Sequence, residues 1–197
     1  MRKELCINED WQFQYHDNTI LPVNLPHTWN NLDGQDGGND YWRGTCIYRK
    51  NFPLPAFGAE DCVYLDFAGV NASATVTLNG TQVCTHDGGY STFRCEITQL
   101  LKEINQLEVA VDNSKNDRVY PQKADFTFYG GIYRDVKLII VPKAHFDLDY
   151  LGSCGIRVTA TPDGDKATVR VADIIIQSQT DGTTRTARLG TPVWHKI

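Results

Sequence analysis

Two alternating runs meet at an Asn-Gly dipeptide: Ala74-Thr-Val-Thr-Leu78 and Thr81-Gln-Val-Cys84 flank Asn79-Gly80. Alternation sends every second side chain to one face of a strand, and Asn-Gly accepts the positive φ angles that a two-residue hairpin turn requires. The same signal recurs along the chain. Trp11-Gln-Phe13 sets two aromatics at strand spacing with one face inward, and Cys46 to Phe52, Cys62 to Phe67 and Asn105 to Val111 read as strands between glycine- and asparagine-rich turns. Only Thr98 to Ile104 suggests a helical turn, with Thr98 as its cap. Many short strands with almost no helix predict an antiparallel sandwich or barrel over residues 1 to 141.

After Pro142 the pattern restarts. Phe146-Asp-Leu-Asp-Tyr150 and Ile156-Arg-Val-Thr-Ala160 alternate, and Ala167 to Gln177 is a long strand candidate behind the Asp163-Gly164-Asp165 turn. The expected division is therefore 1–141 and 142–197.

Composition removes several function classes. Charged residues make up 22% and the net charge is −5 without a basic block, which argues against nucleic acid as a partner. No apolar run approaches the roughly 18 residues of a membrane span. The opening Met-Arg-Lys-Glu-Leu-Cys has no signal-peptide core, so a cytoplasmic location is expected, or a periplasmic one if a signal has been removed. The six cysteines show no metal-ligand spacing; Cys46, Cys62, Cys84 and Cys95 fall in strands and are expected as buried thiols rather than disulfides. Asn71-Ala-Ser73 and Asn79-Gly-Thr81 are sequons of the kind that arise by chance. No metal centre is predicted.

The stretch with the most chemistry is Asp125-Phe-Thr-Phe-Tyr-Gly-Gly-Ile-Tyr-Arg-Asp-Val136. A carboxylate accepts hydrogen bonds from sugar hydroxyls, and aromatic faces cover the C–H face of a sugar ring. Asp125 followed by Phe126, Phe128 and Tyr129 offers both on one loop, and Gly130-Gly131 permits close backbone approach. The plain alternative is an aromatic-rich turn in which Asp125 caps a backbone amide. Ile132 to Ile140 reads as a strand. His27 has no Ser or Cys nucleophile with a plausible partner around it, so a loop-stabilising role is expected.

These strings together resemble the N-terminal jelly-roll domain of family 2 glycoside hydrolases, the β-galactosidase and β-glucuronidase family. The resemblance rests on Leu25-Pro-His-Thr-Trp29, Tyr41-Trp-Arg-Gly44 with Tyr48-Arg-Lys-Asn-Phe52, Gly88-Gly-Tyr-Ser-Thr-Phe93, and Asp125 through Gly131-Ile-Tyr-Arg134. It implies an all-β chain: a galactose-binding-like jelly roll followed by part of an immunoglobulin-like sandwich, which needs about 100 residues and has about half that here. It implies that Asp125 holds the non-reducing sugar in an active site completed by a separate barrel. It places Thr28 where some relatives have a substrate-reaching asparagine. In some β-galactosidases the matching aspartate also helps bind a sodium ion.

The two catalytic glutamates lie on that barrel in the family. None of the six glutamates here sits in such a setting, so the expected role is non-catalytic sugar binding within an enzyme hydrolysing O-glycosyl bonds, and a bacterial origin is expected. The rivals are an autonomous carbohydrate-binding module and a purely structural support. The expected partners are a β-linked glycoside, the barrel, and a second copy through the incomplete second domain.

Overall fold

The computed structural model describes residues 1–31, 33, 42–120, 127–148, 152–178 and 184–196, the stretches 172–178 and 184–196 by backbone alone. Among the described residues ten strands build the first unit: β1 (Lys3–Cys6), β2 (Trp11–Gln14), β3 (Ile20–Val23), β4 (Thr45–Pro53), β5 (Asp61–Phe67), β6 (Ser73–Leu78), β7 (Thr81–Asp87), β8 (Phe93–Glu96), β9 (Ile104–Asp112) and β10 (Val136–Pro142). One sheet has the order β1-β10-β5-β8 and the other β3-β2-β4-β9-β6-β7, all pairs antiparallel. The two sheets face each other across one core, the all-β jelly-roll sandwich that the resemblance implies.

Alternation explains which side of each strand is dry. In β6 the pattern sends Ala74, Val76 and Leu78 inward, and β9 answers with Leu107, Val109 and Val111. Trp11, Phe13 and Tyr48 from one sheet meet Val63, Leu65, Phe67, Leu138 and Ile140 from the other in a single core. A fully buried side chain of this size contributes about 1.5–3 kcal/mol. Strands β5 and β10 are buried on both faces, because Cys62, Tyr64, Ile139 and Val141 form a smaller cluster with Leu148 on the outside. Asn79 and Gly80 carry φ angles of 53° and 83°, as the Asn-Gly signal requires.

Three expectations are corrected. The strand read from Ile132 begins at Val136. Gly131 pairs with Asn71 in an isolated bridge, and Arg134 leaves the sheet path to donate to the carbonyls of Ala68 and Tyr90, each at 3.3 Å. The helical turn is a 3-10 helix of three residues, Thr98–Leu100, without a side-chain cap. Thr98 Oγ1 instead accepts the Val63 amide at 2.9 Å. Cys84 and Cys95 form a disulfide, with Cα atoms 6.2 Å apart, rather than two thiols. They lie on β7 and β8, the edge strands of the two sheets, a juxtaposition that alternation cannot reveal. Cys46 and Cys62 are buried thiols, and burial pushes the Cys46 thiol up to about 12.

The remaining strands are β11 (Ala144–Phe146), β12 (Ile156–Asp163), β13 (Lys166–Ser178) and β14 (Thr184–Lys196). Strand β13 pairs with β12 through residues 166–173, with β11 through 175–177, and with β14 through 168–178. The first unit grips the approach to this sheet. Arg94 forms an ion pair with Asp66 at 2.5 Å and donates to the carbonyls of Leu148 and Ser153, each at 2.8 Å. Tyr64 OH lies 3.2 Å from His145 Nε2.

Candidate functional site

Loops after β3, β5, β9 and before β10 converge at one end of the sandwich. Three asparagines from three of these loops grip consecutive main-chain groups of the segment that follows Asp125. Asn113 Nδ2 donates to Phe128 O at 2.9 Å, Asn71 Nδ2 to Tyr129 O at 2.7 Å, and Asn30 Oδ1 accepts the Gly130 amide at 2.7 Å. Thr28 Oγ1 then donates to Gly130 O at 2.7 Å, and Gly131 exchanges both backbone bonds with Asn71. Asn30 and Asn113 are fully buried and bonded to each other at 3.1 Å. Buried amides are tolerated only where their donors and acceptors are used, so this set has one favoured arrangement.

The same cluster ties in Trp42, Arg43 and Gly44. Asn30 Nδ2 donates to Trp42 O at 2.8 Å, Asn113 Oδ1 accepts the Gly44 amide at 2.9 Å, and Arg43 Nε donates to Asn113 O at 2.6 Å. The Arg43 guanidinium lies over the Phe128 ring at 5.0 Å, a cation–π contact. Gly130 has no room for a side chain, since a Cβ there would enter the Trp29 ring; Gly131, at φ 135°, would drive one into the His27 carbonyl. Trp29 stacks on Phe13 and is buried, and its indole N–H has no hydrogen-bond partner among the described residues.

His27 belongs to this scaffold. Its Nδ1 is 2.7 Å from the Tyr48 hydroxyl, and its amide donates to Ile132 O. Burial holds the imidazole below its ordinary value and the Tyr48 phenol well above its own. A neutral ring that accepts from Tyr48 fits both shifts, in line with a loop-stabilising histidine.

Of the two residues singled out for substrate, Asp125 and its neighbour Phe126 lie outside the described residues. Thr28 lies within them, half-buried, with its hydroxyl on Gly130 O. Phe128 is half-buried and Tyr129 is exposed. The clamp of Asn30, Asn71 and Asn113 was not found from the sequence. Its only trace was Asn beside strand ends, which reads equally as turn chemistry.

Among the described residues, no cluster of three His, Cys, Asp or Glu side chains could hold a metal ion. The sodium expectation attaches to Asp125 and so falls outside them. Neither sequon asparagine is open to modification: Asn71 is buried in the clamp, and Asn79 donates to Leu100 O at 2.7 Å while accepting the Gln106 amide at 2.9 Å.

Residues 28–150 match the family model described as glycosyl hydrolase 2 galactose-binding domain-like. A β-glucuronidase of Bacteroides fragilis is 37% identical over 155 residues, covering 76% of this chain and 22% of the relative. A β-galactosidase of Thermoanaerobacterium thermosulfurigenes is 32% identical over 153 residues, covering 70% of this chain and 21% of the relative. The crystal structure of an FMN-binding β-glucuronidase from Facaelibacterium prausnitzii L2-6 superposes with a TM-score of 0.85 at 37% identity, covering 100% of this chain and 34% of that one. The chain thus spans about a fifth of the length of these curated relatives.

Proposed function

The chain belongs to the glycosyl hydrolase 2 galactose-binding-domain-like family, and from that premise we propose that it is the sugar-binding, non-catalytic part of an enzyme hydrolysing β-linked glycosides. Retaining hydrolysis needs two carboxylates about 5 Å apart across the scissile bond. The chain's own contribution is Asp125, whose carboxylate accepts hydrogen bonds from two hydroxyls of the terminal sugar. Charge-assisted bonds of this kind are worth roughly 1.5–3 kcal/mol each. Thr28 acts with it by holding Gly130 in place.

The observation that carries this reading is the asparagine clamp. It fixes the backbone from Phe128 to Gly131, starting three residues after Asp125. Binding geometry is preserved when a side chain is carried on backbone that cannot drift. The partner supplied in the longer relatives would be a catalytic barrel. In this reading residues 1–141 form the jelly roll, and 142–197 belong to an immunoglobulin-like sandwich whose exposed apolar sheet face can also pair with a second copy.

One substitution tests the reading. Asp125→Ala should leave the melting temperature of the chain nearly unchanged, within the roughly 0.5 kcal/mol of a surface change. In an enzyme carrying this chain as its N-terminal part it should lower kcat/KM by roughly 10²-fold, at ~1.4 kcal/mol per decade. A destabilised but fully active variant would instead make Asp125 a cap.

A further inference from the structure

Beside the clamp lies a cleft of about 370 Å³ lined by Asn71, Tyr90, Thr127, Tyr129 and Tyr133, a size that accommodates a small molecule. We propose that this cleft is a separate carbohydrate subsite that takes a pyranose ring by its C–H face. The inference rests on the reading of this loop end as the sugar-facing end, because Thr127 is two residues from Asp125.

Three features favour such a ligand. First, the walls are tyrosine rings, and those of Tyr90 and Tyr129 are 52% and 42% exposed. Aromatic faces of this kind cover the apolar face of a sugar. Second, the rings stand on fixed backbone. Asn71 holds Tyr129 O, the Tyr133 hydroxyl donates to Gly89 O, and Arg134 joins Tyr90 O to Ala68 O while lying 5.2 Å from the Tyr133 ring centre. Little ordering remains to be done when a ligand enters.

Third, the mostly apolar lining carries three hydroxyls with no partner among the described residues. The hydroxyls of Tyr90, Thr127 and Tyr129 make no hydrogen bond among the described residues. A hydrophobic protein side chain filling the cleft would bury such hydroxyls unpaired, at a cost. A polyol with one apolar face would pair them. That difference decides for a sugar over a protein contact.

The test is an NMR titration of the chain with methyl β-D-galactopyranoside and methyl β-D-glucuronide. Amide shifts should appear at Tyr90, Thr127, Tyr129 and Tyr133, with saturation transfer to the ring C–H protons of the sugar. Tyr129→Ala should weaken binding by about tenfold or more, while Tyr129→Phe retains most of it. Should Tyr129→Ala fail to fold, Tyr90→Ala gives the same readout. Asp125→Asn should leave these shifts in place, which separates this subsite from the proposed role of Asp125. The proposal is overturned if neither sugar shifts these residues in the folded chain, if the tyrosine substitutions leave binding intact, or if Asp125→Asn abolishes it.

Discussion

The jelly roll and the sheet built on β13 are made from equally regular strands, yet they hold their side chains differently. In β6, Val76 and Leu78 are fully buried, whereas in β12 Ile156 and Val158 are 39% and 61% exposed. Val158 sits opposite Val171 on β13, itself 38% exposed, so that face is apolar and open. Both regions carry antiparallel ladders, β6 against β9 and β12 against β13. What separates them is the second layer: β5 and β10 lie across from β6 and β9, and no described strand lies across from β12. Backbone pairing without an opposing layer fixes register but removes little apolar surface from water.

The largest expected effect of this difference is in hydrogen exchange and proteolysis. Amides of β12 should exchange orders of magnitude faster than those of β5, whose opening requires unfolding the core. Limited proteolysis should leave a stable piece ending near residues 140–150. Slow exchange in β12 of a strictly monomeric sample would break the comparison.

A smaller effect separates polar burial at the loop end from apolar exposure in β12. Asn30→Ala should destabilise the chain by about 3 kcal/mol, because it leaves the Gly130 amide and an Asn113 donor unpaired. Chemical denaturation would measure it, and a loss near zero would mean that the clamp does not hold the segment.

Acid should weaken the jelly roll through His27 and His86, both held below the ordinary value of 6.5 by burial. Near that value the unfolded chain takes up protons that the folded chain refuses, so stability is full above pH 6.5 and declines as pH falls below it. His86 reinforces this while bonded to Ser91 Oγ at 3.0 Å and stacked on Phe93. Melting temperatures between pH 7.5 and pH 5 would show it, and His27→Gln should flatten part of the slope. The smallest effect is expected for Val158→Ala, within about 0.5 kcal/mol. A larger loss would reveal that its face is covered in solution.

Much of the fold was legible because period-two alternation and Asn-Gly act locally: Trp11 and Phe13 point inward, and Asn79-Gly80 turns as its chemistry requires. The start of β10 was misplaced because the preceding backbone is held by a remote partner, Asn71, bridged to Gly131. The disulfide was missed for the same reason, since Cys84 and Cys95 meet only after two sheets close.

The candidate site divides along the same line. The sequence by itself determined an antiparallel sandwich, its hairpin register, and a loop whose carboxylate and aromatics suit a sugar, all consequences of neighbouring residues. Only the tertiary structure decided that Thr28, Asn30, Asn71 and Asn113 converge on Phe128 to Gly131, and that Tyr90 and Tyr133 share a cleft with Tyr129. Those groups are as much as 102 positions apart in the chain. A hydrogen bond depends on distance and angle in space, and alternation along one strand carries no information about which loops the folded sheets bring to the same end.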